Sequence, residues 1–184
     1  MGSRRHVPAL KVALAIGIAQ AVFVAVYLHV ERGRHAPRPD LSSEQLAAGA
    51  APDARFVALD GSKLRLQELK GTPVLLHFWA TWCGPCKQEL PGLLELATLR
   101  PARVRVIALS VDPSWDAVRS FFGGVVPAQV VLDEVGDAAR AFEVAALPDT
   151  YLIRADGTLG PRFGGARDWR SDAMRNRLLE ALQQ

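Results

Sequence analysis

Cys83 and Cys86 are the residues of this chain whose type and spacing point most directly to chemistry. They are the only cysteines among 184 residues, and two residues separate them. Two thiols at this spacing can exchange a disulfide. The apolar run 74–80 before them predicts a buried parallel strand, and the spacing of apolar residues over 89–99 predicts a helix. The pair is therefore expected where a strand turns into a helix.

The expected helix start makes the two thiols unequal. Unpaired N–H groups and the positive end of the helix dipole favour an anion, so we expect a lowered pKa for Cys83. Only the thiolate attacks disulfides. Cys86 lies one turn further along the same face, which suits it to resolve a mixed disulfide. Pro85 fits the first helical turn, where its missing N–H costs nothing.

Two other uses of the pair remain open from the residues alone. A structural zinc site needs about four ligands, but His6, His29 and His35 precede the folded domain, so neither a metal nor a cofactor is expected. A purely structural disulfide would close a very short loop. Chain entropy would then contribute only roughly 2 kcal/mol, against about 3 kcal/mol for a fifteen-residue loop.

The segment FWATWCGPCK, residues 78–87, resembles the thioredoxin active-site segment. More narrowly, it resembles the membrane-anchored TlpA/ResA (CcmG-like) branch of the thioredoxin-like superfamily. Residues 56–64 are similar to the opening hairpin of that branch, Glu89 matches its acid three residues after the second cysteine, and 146–153 resemble its cis-proline segment. The resemblance covers roughly residues 53–184. It implies an α/β thioredoxin fold, with a central mixed β-sheet flanked by helices and an N-terminal β-hairpin extension.

The resemblance also implies a substrate-binding surface around the cysteines. In this family the loop at Leu147 and Pro148 stands against the active site, and a cis bond there exposes the backbone of Leu147 to an extended substrate segment. Trp82, Gly84 and Pro85, which flank the cysteines, are expected to contact substrate as well.

His77 and Glu89 are the further catalytic candidates. Thioredoxins carry an acid, and the TlpA-like branch commonly an asparagine, where this chain has His77. Its neutral imidazole would accept the proton that Cys86 loses, or it is a buried histidine satisfied by a backbone carbonyl. Glu89 would relay that proton, or it is a solvated glutamate that complements the helix dipole.

Residues 12–30 contain no Asp, Glu, Lys or Arg. As a helix this segment would span roughly 28 Å, close to the thickness of a bilayer core. We expect a transmembrane anchor, with residues 1–11 in the cytoplasm and 31–52 as a flexible linker to the domain at 53–184. The protein would then cross the cytoplasmic membrane once, with its domain on the periplasmic or extracytoplasmic side. A cleaved signal peptide is the alternative.

The positive charge of the chain does not indicate a nucleic-acid partner. The formal net charge is +3, but the basic residues are mainly dispersed arginines without a dense basic run in the domain.

Apolar patterning predicts the elements of that domain as strands at 55–59, 63–66, 74–80, 103–110, 130–132 and 150–154 with a final edge strand, and helices at 84–99, 114–122, 137–142 and 169–182. Ala173, Leu178, Leu179 and Leu182 are the expected core contacts of the last helix.

The resemblance implies a protein disulfide reductase that acts outside the cytoplasm. Its expected substrates are apocytochrome c or copper-site proteins, and its expected electron source is a membrane donor of the DsbD or CcdA kind. Three alternatives are a disulfide-donating oxidase, a haem- or copper-escorting binding module and a peroxiredoxin. The peroxiredoxin signature Pro-x-x-x-Thr-x-x-Cys is absent, because Thr81 lies two residues before Cys83.

Overall fold

The computed structural model describes residues 20, 22–25, 49–98 and 104–183. The chain divides into two units, Met1–Asp40 and Leu41–Gln184. No helix within the described residues is long and apolar enough to cross a membrane. The predicted cytoplasmic N-terminus at 1–11, most of the predicted anchor at 12–30 and most of the predicted linker at 31–52 lie outside the described residues.

The second unit alternates strands and helices in the predicted order. Its strands are β1 (Arg55–Val57), β2 (Lys63–Arg65), β3 (Val74–Trp79), β4 (Arg105–Ser110), β5 (Val130–Leu132), β6 (Asp149–Ile153) and β7 (Leu159–Gly164). Its α-helices are α1 (Gly84–Leu96), α2 (Trp115–Phe121), α3 (Asp137–Ala141) and α4 (Asp172–Ala181), and a 3₁₀ helix spans Leu66–Leu69. The predicted bounds agree with these elements to within a few residues.

The strands form one seven-stranded mixed sheet in the order β2-β1-β5-β4-β3-β6-β7. β3, β4 and β5 are parallel, whereas β6 is antiparallel to β3 and β7 is antiparallel to β6. The β1–β2 hairpin extends the sheet through an antiparallel pairing of β1 with β5. The predicted mixed sheet and N-terminal hairpin are therefore confirmed, and β7 is an edge strand as expected.

The two faces of β3 contribute to two different cores. Leu75 and Trp79 pack in one cluster with α1 and α4 residues, whereas Leu76 and Phe78 pack in the other with β1 and α3 residues. All six residues of β3 are buried. Because successive strand residues point to opposite faces, His77 lies on the same face as Leu75 and Trp79. This places it on the side of the sheet that α1 covers.

The core face of α4 differs from the prediction. Met174, Leu178 and Ala181 are its buried residues, at the spacing expected for one helix face. Ala173 and Leu179, both predicted core contacts, are exposed. The predicted helix also began too early, because α4 begins at Asp172, where the Ser171 side chain accepts a hydrogen bond from the Met174 N–H.

Candidate active site

Cys83 and Cys86 form a disulfide at the start of α1, with their Cα atoms 5.3 Å apart. Cys83 is the N-cap residue of the helix, and its Sγ accepts a hydrogen bond from the Cys86 N–H at 3.3 Å. Cys86 is completely buried, whereas Cys83 is 6% exposed. The structure thus places the pair at the predicted junction, with Cys83 as the more accessible sulfur and an N–H group beside it.

The residues that flank the disulfide are open to solvent. Trp82 is 68% exposed, and Gly84 and Pro85 are exposed as well. Pro85 lies in the first turn of α1, as predicted. An extended substrate could therefore reach Cys83 across the apolar surface of the Trp82 indole. Cys86 is completely buried, so a substrate cannot contact it directly.

A buried carboxylate, Asp112, fixes the segment before the cysteines. The Thr81 N–H donates to Asp112 Oδ2 at 2.9 Å, and the Thr81 hydroxyl donates to Asp112 Oδ1 at 2.8 Å. The Ser110 hydroxyl donates to Asp112 Oδ2 at 2.7 Å. These bonds tie the end of β4 to the turn that carries Trp82 and Cys83, so they hold the disulfide against the edge of the sheet.

Leu147 and Pro148 lie at the same edge of the sheet as the disulfide. Their peptide bond is cis, as the resemblance implied. Asp149, the next residue, pairs with Phe78 near the end of β3, which brings the loop level with the start of the active-site turn. The Pro148 carbonyl accepts a hydrogen bond from the Gly165 N–H at 3.0 Å, whereas no backbone hydrogen bond of Leu147 occurs among the described residues.

Glu89 is buried one turn below Cys86 on the same face of α1. Its Oε2 accepts hydrogen bonds from the Arg167 N–H at 2.5 Å and from the Trp169 indole N–H at 3.2 Å. Burial raises the pKa of Glu89 to about 7, although these two donors favour the carboxylate. The interpretation of Glu89 as a solvated glutamate is therefore wrong, because its carboxyl group is buried and burial brings its pKa close to neutral pH.

His77 faces Glu89 from β3. Its Nε2 is 3.5 Å from Glu89 Oε1, and its Nδ1 is 2.8 Å from Thr150 Oγ1. The distance to Glu89 would fit an ion pair, but burial lowers the pKa of His77 to about 3, so the imidazole is neutral at pH 7. The alternative of a histidine satisfied by a backbone carbonyl is wrong: within the described residues its ring makes one hydrogen bond, to the Thr150 side chain, and its Nε2 has no hydrogen-bond partner.

Several residues of this site escaped the sequence prediction. Asp112 lies two residues after the end of a buried parallel strand, and that position was a usable signal. Thr150, Arg167 and Trp169 had no such signal, because they contact His77 and Glu89 only once the chain has folded.

In the part of the chain that the structure describes, no group of three or more His, Cys, Asp or Glu residues is arranged to hold a metal ion.

The sequence family model described as the AhpC/TSA family matches residues 47–161, and the chain belongs to this family. It is 36% identical over 109 residues to the thiol-disulfide oxidoreductase ResA of Bacillus thuringiensis subsp. konkukian, a match that covers 58% of this chain and 63% of that protein. It is 35% identical over 117 residues to the thiol-disulfide oxidoreductase ResA of Bacillus subtilis, which covers 62% and 65%. The chain thus spans less than two thirds of these relatives.

Solved structures show the same fold. A thiol:disulfide interchange protein DsbE from Chlorobium tepidum superposes with a TM-score of 0.65 at 28% identity, which covers 73% of this chain and 96% of that one. An exposed lipoprotein thioredoxin from Streptococcus pneumoniae superposes with a TM-score of 0.60 at 26% identity, which covers 70% and 98%. The predicted thioredoxin-like fold and the resemblance to the ResA and CcmG-like branch are confirmed.

Proposed function

We propose that this chain is a thiol-disulfide oxidoreductase that reduces disulfides in proteins outside the cytoplasm. The observation that carries the proposal is the Cys83–Cys86 disulfide at the N-terminus of α1, with the buried carboxyl group of Glu89 one turn below it. The similarity to proteins named thiol-disulfide oxidoreductase ResA supports the same reaction class.

In the proposed reaction the reduced protein, with Cys83 as a thiolate and Cys86 as a thiol, supplies two electrons and the proton of Cys86, and the sulfur that leaves first takes its proton from water, which received the proton of Cys83. The Cys83 thiolate attacks a substrate disulfide, so one substrate sulfur leaves and the other forms a mixed disulfide with Cys83. Cys86 then loses its proton to Glu89 and attacks Cys83 Sγ. The second substrate sulfur leaves and takes up a proton, and the protein is left with the Cys83–Cys86 disulfide. The raised pKa of Glu89, about 7, suits it to accept and return this proton.

The open surface around Cys83 suits an extended peptide. The exposed Trp82 indole offers apolar contact, and Gly84 and Pro85 leave the approach to Cys83 unobstructed. The backbone of Leu147, which is unpaired within the described residues, offers a donor and an acceptor to a substrate strand. The substrate would thus be held by its main chain, which tolerates many sequences.

We place the reaction on the extracytoplasmic side of the cytoplasmic membrane. The uncharged run at 12–30 supports a single membrane anchor, with 1–11 in the cytoplasm and 31–52 as a linker. An exported dithiol is oxidised at each turnover and has no soluble reductant, so it needs electrons from a membrane donor of the DsbD or CcdA kind. Apocytochrome c or copper-site proteins are the proposed substrates.

Trapping of the mixed disulfide tests this proposal. The full chain with Cys86→Ser, once reduced, should attack insulin disulfides and remain covalently bound to an insulin chain, because no second thiol displaces it. The matched variant Cys83→Ser should trap far less, because Cys86 is completely buried. The wild-type chain should release reduced insulin. Equal trapping by both variants, or no insulin reduction by the wild type, would contradict the assigned roles.

A further inference from the structure

A buried tyrosine hydroxyl group contacts the start of the loop 142–148, which connects α3 to β6 and carries Leu147. The hydroxyl oxygen of Tyr151 is 2.8 Å from the carbonyl oxygen of Phe142, the first residue of the loop. Burial, together with the charge of Asp149, raises the pKa of Tyr151 well above its ordinary value, so the hydroxyl group keeps its proton. No other hydrogen bond to the Phe142 carbonyl occurs among the described residues.

Asp149 and Arg162 complete this network at the other end of the loop. Asp149 follows Pro148 directly, and its Oδ2 is 3.1 Å from the hydroxyl oxygen of Tyr151. The Arg162 guanidinium donates to both carboxylate oxygens, with Nε 2.8 Å from Oδ1 and Nη2 2.6 Å from Oδ2. A phenol has one proton to donate. Because Arg162 already pairs with the carboxylate, the proton of Tyr151 is left for the Phe142 carbonyl.

Between its two ends the loop has few hydrogen bonds of its own. The Val144 N–H donates to a carbonyl of α3, but residues 145–147 make no backbone hydrogen bond within the described part of the chain. Glu143 has a φ of 52°, a left-handed conformation that a non-glycine residue keeps only where its surroundings hold it. The position of Leu147 therefore depends on contacts at the ends of the loop, and the Tyr151 hydroxyl group makes one of them.

We propose that Tyr151 is a positioning residue, whose hydroxyl group keeps the loop 142–148 in the conformation in which Leu147 pairs with the main chain of a substrate. This deepens the proposed function and rests on it. Without the hydroxyl group, only a fraction of the molecules would have Leu147 in place, and the apparent affinity for an extended substrate would fall by that fraction. The attack by Cys83 would be unaffected, because Tyr151 packs in the core on the other face of the sheet.

Single-turnover kinetics of the reduced full chain in mild detergent test the inference with Tyr151→Phe. This variant keeps the aromatic ring, which packs against Phe78 and Phe142, and loses only the hydroxyl group. The substrate is a short unstructured peptide that is linked to a second copy by one disulfide. Its half-saturation concentration should rise roughly fivefold, the equivalent of one net hydrogen bond. The rate at saturation should stay the same, because every bound molecule then has its loop in place.

A matched variant and a second substrate separate positioning from general damage. Thr158→Val also removes one hydroxyl group, which donates to Asp156 Oδ1 in the turn at the opposite end of β6, and both kinetic quantities should equal those of the wild type. The small aromatic disulfide dithiobis(nitrobenzoate) has no main chain to pair with Leu147. Its rate constant with reduced Cys83 should therefore be the same in the wild type and in Tyr151→Phe.

Two results would overturn the inference. One is a half-saturation concentration for the peptide that does not change in Tyr151→Phe. The other is an equal loss of rate with the peptide and with the small disulfide, because that would place the effect at the cysteines. Failure of the proposed function looks different, since the wild-type chain would then not reduce the peptide at all. A wild type that reduces the peptide as well as Tyr151→Phe does contradicts the role of Tyr151 only.

Discussion

Replacement of Glu89 by glutamine should change how the stability of the fold depends on pH. Burial raises the pKa of Glu89 from 4.5 to about 7, so between these values the folded protein holds a proton that the unfolded chain has released. The contribution of Glu89 to the free energy of unfolding is therefore fully present below pH 4.5 and is lost as the pH rises to about 7. Glutamine does not titrate, so Glu89→Gln removes this decline.

Replacement of His77 by asparagine should have the opposite effect. Burial lowers the pKa of His77 from 6.5 to about 3, so in this range the unfolded chain binds a proton that the folded protein lacks. The contribution of His77 is present above pH 6.5 and is lost as the pH falls towards 3. Relative to the wild type, His77→Asn should therefore lose stability as the pH rises through the window in which Glu89→Gln gains it.

The magnitude follows from one proton per group. A difference of one bound proton changes the free energy of unfolding by about 1.4 kcal/mol per pH unit. Between pH 4.5 and 6.5, Glu89→Gln should gain at most about 3 kcal/mol relative to the wild type, and His77→Asn should lose at most the same amount. Residual solvent screening reduces both values. Lost packing adds an offset that does not vary with pH, so the slope is the quantity to compare.

Urea unfolding of the full chain in mild detergent, at pH steps across this window and with the disulfide intact, measures these slopes. Glu95→Gln is a matched control, because Glu95 is an exposed glutamate of the same helix, paired with Arg170, which lowers its pKa. The free energy of unfolding of Glu95→Gln should not rise with pH relative to the wild type. A charged His77–Glu89 ion pair would have a lowered Glu89 pKa and a raised His77 pKa. Glu89→Gln would then lose stability with rising pH, and that result would refute the neutral pair.

Further predictions concern the groups that support the site. Trp169→Phe removes a donor that favours the Glu89 carboxylate. The pKa of Glu89 should therefore rise above its wild-type value of about 7, as measured by carbon-13 NMR of the carboxyl group. Asp112→Asn loses one of the acceptor sites for Thr81 and Ser110, which should lower the free energy of unfolding by about 1–3 kcal/mol and speed hydrogen exchange at the Thr81 amide. An unchanged pKa or exchange rate would contradict the corresponding contact.

The reactive pair and its frame could be predicted because their signals are local. The apolar run of β3, the cysteines and the proline of the first helical turn lie within a few residues of one another, and the structure places them as expected. The periodic pattern of α4 was less decisive. Leu178 belongs to the core, but Leu179 beside it is exposed, and only the packing of the helix against the sheet selects between them.

The environment of Glu89 and His77 could not be predicted, because the sequence left two interpretations open for each residue. What decides between them is contact over long stretches of chain. Thr150 meets His77 through the β3–β6 register, 73 residues away, and the donors to Glu89 come from Arg167 and Trp169, which are 78 and 80 residues away. Burial, which determines the pKa of both groups, exists only once these elements have packed.

The reduction potential of the Cys83–Cys86 pair tests the central claim of a protein disulfide reductase most directly. The full chain is equilibrated with glutathione buffers of graded potential, and the fraction of free thiol is measured by alkylation and mass spectrometry. A reductase should have a potential near that of thioredoxin, about −270 mV, and below the range of glutaredoxins, roughly −200 to −230 mV. A potential near about −120 mV, that of a strong disulfide donor, would contradict the proposed direction of electron flow.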